Sequence, residues 1–366
     1  MKILHIHTKM VSGGIEAIVC NLVNEMSKSH DVTLCTIFQP TEEDVFYRKL
    51  DDKVKKITIG KKQFGFSVKE IWKIYRVILQ GHYDVVHIHG CFQYYFLAIA
   101  LLHSKVRFVY TIHSDARKEN QTWDWRLFKL KKYMFAHQWM LPVTISDASQ
   151  QSFEDLYNCQ SHLIFNGIAK IKVDTISNNV IDGLRKTKNT KIFIHAGRIS
   201  EPKNQLVLCK VFNQLITKGN DVVLVIAGSP EEKAIYKSIE PYFSERIVYL
   251  GERNDIADFM SHADAFCLPS LWEGLPVTLL EALSVGCIPI CSPVGGIVNV
   301  IESGKNGLLS KDSSESEYFI TVNKFLNMTD KERVCMKENA LKSFAKYDIK
   351  NSANQYLKAY VTLFIS

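Results

Sequence analysis

An α/β protein made of two Rossmann-like domains in series is what the sequence predicts, and three observations carry that reading. Short apolar runs alternate with helical patterns along the first half of the chain. The same alternation begins again at Lys191, after a polar stretch. The length of 366 residues exceeds the ~100–150 residues usual for a single domain. With 46% hydrophobic and 23% charged residues, the chain can bury a sizeable core and does not resemble a disordered one.

The elements follow in order. "KILHIHT" opens the chain as a strand, and apolar spacing from about Ile15 to Lys28 predicts the first helix. "DVTLCTIF", a helix around residues 68–80, "DVVHIHG", "RFVYTIHS" and "MLPVTIS" continue the pattern. Short buried-looking strands separated by helices imply βαβ crossovers and a parallel sheet. The second half repeats the scheme with "KIFIHAGR", "VVLVIAG", "RIVYLG", "AFCLPS" and "IPICSP". The polar stretch Lys170 to Asn189 reads as a linker, and the tail after Asp348 as an amphipathic helix. The expected boundaries are therefore 1–169, 170–345 and a C-terminal helix over 346–366.

Composition narrows the functional classes. The start "MKILHIHT" lacks the apolar core of a signal peptide, and no apolar run of about 18 residues is long enough to span a bilayer. Nine scattered cysteines without a Cys-x-x-Cys pair fit free thiols in a reducing cytosol, so the expected location is cytoplasmic, at most resting on a membrane. The net charge of +7 is uneven: Lys53, Lys55, Lys56, Lys61, Lys62, Lys69, Lys73 and Arg76 face Glu70 alone. In "WDWRLFKLKKYMF", Arg126, Lys129 and Lys132 recur at three-residue spacing, with Trp123, Leu127, Leu130 and Met134 on another face. Such stretches are either solvated helix faces or surfaces for anionic lipid. Nucleic acid is not expected as a partner, because no binding motif accompanies the charge.

In open parallel sheets ligands bind at the carboxyl ends of strands, so two facing sheets would place the chemistry in the crevice between domains. In "VSGGIEAIV", Gly13 and Gly14 precede a helix after the first strand, a turn that lets backbone N–H groups approach an anion. "HAGRISEPKNQ" offers Arg198 and Lys203 at a strand end, which suits a diphosphate. In "SLWEGLPVTLLEALSVG", Pro276 fits the first helical position, leaving free N–H groups near Val277 and Thr278. Glu273 sits in the approach loop Glu273–Gly274–Leu275–Pro276, and Glu281 lies further along the helix with its side chain leaning back toward the start. That spacing suits a nucleotide-sugar, with the hexose near Glu273, the diphosphate at the helix start with Arg198 and Lys203, and the ribose near Glu281. A glycosidase reading of the two glutamates leaves the cations unexplained. The pairs His5/His7 and His87/His89 have metal-ligand spacing, but a metal-dependent hydrolase would need further ligands and a closed barrel. His89, at a strand end before Gly90, is expected to line the cleft, while His5 and His87 are expected to be structural.

The combination "AGRISEPKNQ", "LPSLWEGLPVTLLEAL" and "SPVGGIVNVIESGKNGLL", with "GGIE", "DVVHIHG", "YTIHS", "TISDAS" and "IFNGI" in order, resembles the retaining nucleotide-sugar glycosyltransferases of the GT-B fold with the E-x7-E signature. The resemblance covers nearly the whole chain. It implies that Arg198 and Lys203 bind the donor diphosphate, Glu273 contacts the donor sugar and Glu281 the ribose. His113 would lie near the transferred sugar and Gly14 near the diphosphate; Gly13, His89 and His113 are the acceptor-side candidates. The implied reaction passes a hexose or N-acetylhexosamine from a nucleoside-diphosphate sugar to an acceptor hydroxyl with retention, with no cofactor or metal. A lipid-linked oligosaccharide of a bacterial capsule, exopolysaccharide or lipopolysaccharide is the implied acceptor, and an anionic membrane surface a candidate partner. A nucleotide-sugar epimerase of the same fold and a non-catalytic sugar-nucleotide binder are the rival readings. Ala169, "AGSPEE" and Asn299 depart from the family pattern without removing a phosphate-binding or E-x7-E residue.

Overall fold

Runs rich in Val, Ile and Leu that are bounded by glycine or by polar turns form strands here because both of their faces can be buried; "VVLVIA" is buried at every residue. The computed structural model describes residues 1–11, 13–63, 65, 67–119, 126–171, 173, 179–253 and 255–362. Two compact units form, Met1–Ala169 with Tyr347–Ser366, and Lys170–Lys346.

The first unit is built on β1 (Lys2–His7), β2 (Asp31–Phe38), β3 (Lys55–Lys61), β4 (Val85–Ile88), β5 (Arg107–Ile112), β6 (Leu141–Thr144) and β7 (His162–Leu163). They form a seven-stranded sheet in the order β3-β2-β1-β4-β5-β6-β7, parallel throughout. The helices Gly14–Met26 and Ile349–Thr362 share a buried cluster with Ile3, Val85 and Val109 on one face. Ile71, Ile74 and Ile78 of the helix Val68–Gly81 pack with Leu4, Val86 and Tyr110 on the other.

In the second unit, β8 (Lys191–Ala196), β9 (Val222–Ala227), β10 (Ile247–Tyr249), β11 (Ala265–Leu268), β12 (Ile288–Cys291) and β13 (Leu308–Leu309) form a six-stranded sheet. Its order is β10-β9-β8-β11-β12-β13. Both sheets therefore reverse direction beside their first strand, between β1 and β4 and between β8 and β11, the doubly wound order whose switch point holds ligands.

Three expectations change. β3, with its lysines, is a strand inside the basic stretch, and Lys61 is buried near Glu70 rather than solvated. Lys131 in the second basic stretch is also buried, its Nζ 4.3 Å above the Tyr110 ring and 3.5 Å from Glu119 Oε1, while Trp123 lies outside the described residues. The polar stretch after Lys170 contains a short helix, Asn179–Gly183, anchored by buried Ile181. No described helix is long and apolar enough to cross a membrane, and all nine cysteines are free thiols.

Candidate active site

In the second unit the loops leaving β8 and β11 are tied together. After β8, the Gly197 N–H donates to the Ala227 carbonyl at 3.0 Å and the Ile199 N–H to the Ser229 carbonyl at 2.8 Å. Gly228 makes this approach possible, since a Cβ there would collide with the Gly197 carbonyl. Gln205, fully buried, donates from Nε2 to the Arg198 carbonyl at 2.8 Å and lies 3.1 Å from His195 Nε2. His195 Nδ1–H in turn donates to the Cys267 carbonyl at 2.9 Å, and burial holds its pKa down to about 4. Asn204 adopts the left-handed conformation (φ 54°) that Asn tolerates, and its Nδ2 donates to the carbonyls of Pro269 and Ser313, each at 3.1 Å. The Leu271 N–H closes the join on the Pro202 carbonyl at 2.8 Å.

This frame brings Lys203 and Glu273 together. Lys203 Nζ lies 2.6 Å from Glu273 Oε1, and Ser270 Oγ donates to the same oxygen at 2.7 Å. The two side chains are only 17% and 10% exposed, so the pair sits in a partly desolvated setting where charge interactions are strengthened. Arg198 stands apart, 58% exposed and paired with Glu231 at 2.7 Å.

The helix of the E-x7-E stretch spans Val277–Val285, and Pro276 is its N-cap (φ −70°, ψ 124°) rather than its first helical residue. The N–H groups of Leu279 and Leu280 reach back to the Pro276 carbonyl at 3.2 and 3.4 Å, which leaves Val277 and Thr278 as the first-turn amides. Leu275 and Pro276 are buried beneath them, and Glu281 is half-buried on the same helix. The Gly274 carbonyl accepts from the Gly296 N–H at 2.6 Å. Gly295, at φ 54°, packs so closely that a Cβ would collide with the Glu273 carbonyl. Ser270, Glu231 and Gly295 were not among the sequence candidates. Ser270 lies three residues before Glu273, and Gly295 lies in the quoted "SPVGG", so both had a signal.

In the first unit Gly13 caps the helix Gly14–Met26 in an extended conformation, with Gly14 exposed at its first position. The chemistry lies in a histidine row. His5 pairs with His87 and His87 with Val109 across β1, β4 and β5, so side chains at every second residue share one face. That face is apolar at Ile3 and Val85, then carries His5 and His87, then His7, His89 and Thr111, and ends at His113. Tyr356 and Tyr360 of the C-terminal helix close over it: the Tyr360 hydroxyl lies 2.6 Å from His87 Nδ1, and Thr111 Oγ1 lies 2.7 Å from His87 Nε2 and 3.2 Å from the Tyr356 hydroxyl. Burial lowers the pKa of His5 and of His113 to about 3, and puts His87 and His89 well below the usual range. These rings are neutral at neutral pH.

His89 corrects an expectation. Its side chain does not line an open surface; the residue is 2% exposed, with Nε2 3.1 Å from His5 Nδ1 and Nδ1 3.0 Å from His113 Nε2. Ring nitrogens of His5, His87 and His89 lie within 4.8 Å of one another, a set that suits a divalent cation by composition. Both His87 nitrogens, however, already face hydroxyls.

Two doubly wound units, with cations, helix amides and carboxylates at the switch point of the second, define the class: a glycosyltransferase of the GT-B fold. Residues 12–170 match the family described as Glycosyltransferase Family 4, and residues 178–343 match Glycosyl transferases group 1; the chain belongs to these glycosyltransferases. It is 26% identical over 297 residues, covering 72% of this chain and 73% of the relative, to the Escherichia coli UDP-Gal:alpha-D-GlcNAc-diphosphoundecaprenol alpha-1,3-galactosyltransferase. It is 25% identical to the Staphylococcus aureus capsular polysaccharide biosynthesis glycosyltransferase CapH, over 86% of each chain. Among solved structures, Anabaena Alr3699/HepE in complex with UDP superposes with a TM-score of 0.79 at 18% identity, over 99% of this chain and 100% of that one.

Proposed function

We propose that the protein transfers a hexose or N-acetylhexosamine, with retention, from a nucleoside-diphosphate sugar to a hydroxyl of a lipid-linked oligosaccharide in bacterial surface-polysaccharide assembly. The observation that carries the reading is the joined loops after β8 and β11, which set Lys203, Glu273 and Ser270 beside the start of the helix Val277–Val285. Arg198, Lys203 and the amides of Val277 and Thr278 neutralise the diphosphate as it leaves, and Gly14 adds a second helix start. Both cations hold carboxylates, so a diphosphate competes with Glu231 and Glu273 for them. Gly274, Leu275 and Pro276 shape the approach loop, Glu273 orients the sugar and Glu281 takes the ribose hydroxyls. The anomeric C–O bond to the diphosphate breaks, a new C–O bond to the acceptor forms on the same face, and the acceptor proton passes to a leaving phosphate oxygen. None of these steps calls for a metal or a cofactor. His113 contacts the transferred sugar, with Gly13 on the acceptor side and His89 behind His113.

The lipid-linked acceptor is supported by the E. coli relative, named for a diphosphoundecaprenol substrate, and the capsule setting by the S. aureus one. The helix Val68–Gly81 favours work at the inner face of the cell membrane: Val68, Trp72 and Leu79 are exposed beside Lys69 and Arg76, while Ile71, Ile74 and Ile78 are buried. Calorimetry with a panel of nucleoside diphosphates and their sugars, without added metal, tests the donor site. Binding to the intact protein that is lost in Lys203→Ala supports the reading, and no binding to any member overturns it. Sedimentation with anionic liposomes at low salt tests the membrane surface separately.

A further inference from the structure

Gln205 is the first residue of the helix Gln205–Thr217 and is fully buried. Its Nε2 donates to the Arg198 carbonyl at 2.8 Å and lies 3.1 Å from His195 Nε2, while its Oε1 accepts from the Ser200 N–H at 3.4 Å. One side-chain amide therefore grips both ends of the short segment from Arg198 to Ser200. Buried polar groups are tolerated only where they are paired, and every polar atom of this side chain has a partner.

The hydrogens have one consistent arrangement. The Cys267 carbonyl can only accept, so the His195 proton lies on Nδ1, 2.9 Å away. Burial holds the His195 pKa down to about 4, so the ring is neutral at neutral pH and Nε2 carries a lone pair. That lone pair and the Arg198 carbonyl take the N–H groups of Gln205. Turning the amide over would set its oxygen against a carbonyl and a lone pair, and its N–H groups against the Ser200 N–H. Each contact thus selects the same tautomer and the same amide orientation, and the far end of the strut is anchored on β11 at Cys267.

Arg198 needs such support. Among the described residues its guanidinium meets Glu231 alone, and both side chains are largely open to water. What is fixed is the backbone from which it reaches: the Gly197 and Ile199 N–H groups are held from the β9 side, and the Arg198 carbonyl between them is held by Gln205. Ser200 Oγ also donates to that carbonyl, at 3.4 Å, a longer contact than that of Gln205.

We infer that Gln205 is a positioning residue for Arg198, with His195 orienting its amide, so that the buried strut Cys267–His195–Gln205 fixes the backbone from which the exposed guanidinium meets a diphosphate. The hydrogen-bond arrangement stands on its own; its consequence for donor binding rests on the reading of Arg198 as a diphosphate contact.

The test is a double-mutant cycle on the full chain, read by calorimetry with whichever of UDP, GDP, ADP and CDP binds tightest. Gln205→Met keeps the length of the side chain without its polar atoms, and it should weaken diphosphate binding about five- to tenfold, part of what loss of a charged hydrogen bond costs. Arg198→Ala should weaken it about tenfold or more. The double variant should bind no more weakly than Arg198→Ala alone, because the strut then has no guanidinium to position. Losses that multiply in the double variant overturn the inference, since Gln205 would then support the fold at large, and so does unchanged binding by a folded Gln205→Met. A second measurement needs no altered strut: long-range 1H–15N correlation on the protein carrying 15N-labelled histidine, with His195→Gln used only to assign the resonance, should show His195 protonated on Nδ1. A proton on Nε2 overturns the inference even if Gln205→Met does not fold. If Arg198→Ala binds the diphosphate as the intact protein does, or no diphosphate binds at all, the donor reading of Arg198 fails and takes the inference with it; the other adverse outcomes sink the inference alone.

Discussion

The switch points of the two sheets share a topology and differ in chemistry. Between β8 and β11 the loops carry ions: Lys203 against Glu273 under partial cover, and Arg198 against Glu231 in the open. Between β1 and β4 the groups are buried imidazoles, closed over by Tyr356 and Tyr360 and bonded to each other and to hydroxyls, with one carboxylate at the edge, Glu16 Oε1 3.5 Å from His7 Nε2. The difference teaches that the doubly wound sheet supplies only a place where strand ends diverge. What that place recognises is set by which residues follow the strands and by how much water reaches them. Paired ions bring charge to the site whether covered like Lys203 or open like Arg198, whereas desolvated rings carry direction rather than charge.

The comparison breaks most visibly at Lys203. If this cation meets developing charge on the leaving group, Lys203→Ala lowers kcat by about 10²–10³, as loss of a preorganised donor does elsewhere. Steady-state kinetics with a nucleotide-sugar checks it; near-normal turnover would falsify the assignment of Lys203 to the leaving group.

Acid should break the first unit before the second. The buried rings have pKa values near 3 for His5 and His113, and well below the usual range for His87 and His89, against about 6.5 when unfolded. Above pH 6.5 neither state binds these protons. Below it the unfolded chain takes them up and the native state does not, so stability falls as pH drops below 6.5. In the second unit burial holds His195 down in the same way, to about 4. Hydrogen exchange at pH 5 should show β1, β4 and β5 losing protection ahead of β8 and β9; equal loss would sink the contrast.

Gly295→Ala tests how rigidly the ionic site is held. The new Cβ meets the Glu273 carbonyl in a left-handed backbone, so the loop must move, at a cost of about 1–3 kcal/mol. A lower Tm together with weaker nucleotide binding is expected. An unchanged Tm would mean that the two loops yield independently.

Much of this was legible in the sequence, for identifiable reasons. β8, β9 and β11 are apolar runs that end at glycine or proline, and the pattern of burial on both faces leaves little else for them to be. β3 escaped because its lysines mask it, and β7 and β13 because they are two residues long and held by register with a neighbour rather than by their own composition. The ionic residues could be picked out because Arg, Lys and Glu at strand ends are conspicuous. Their pairings could not: Glu231 reaches Arg198 from the loop after β9, a meeting that needs the folded sheet. The histidine row was visible as two spaced pairs, yet its order depends on strand register and on His113 joining from a third strand. Burial then reverses the expectation for His89, which its place at a strand end before Gly90 had put at the cleft.

The smallest effect falls at Glu231 and has a definite sign. Its pair with Arg198 joins side chains 46% and 58% exposed, so water and salt screen it and it contributes no more than about 1 kcal/mol. Glu231 nonetheless occupies the guanidinium that a diphosphate would use. Glu231→Gln keeps the shape and removes the competing charge, so nucleoside diphosphate should bind slightly tighter, by less than about fivefold, with the gain shrinking as salt rises. A carboxylate buried beside Lys203 should behave in the opposite way: Glu273→Gln strips a partly desolvated cation of its partner and of the group proposed to orient the sugar, so turnover drops even if the diphosphate alone binds well. Calorimetry of both variants at two salt concentrations separates the cases. If Glu231→Gln weakened binding instead, Glu231 would be holding Arg198 in its working position rather than competing for it, and the exposed cation would be as preorganised as the covered one.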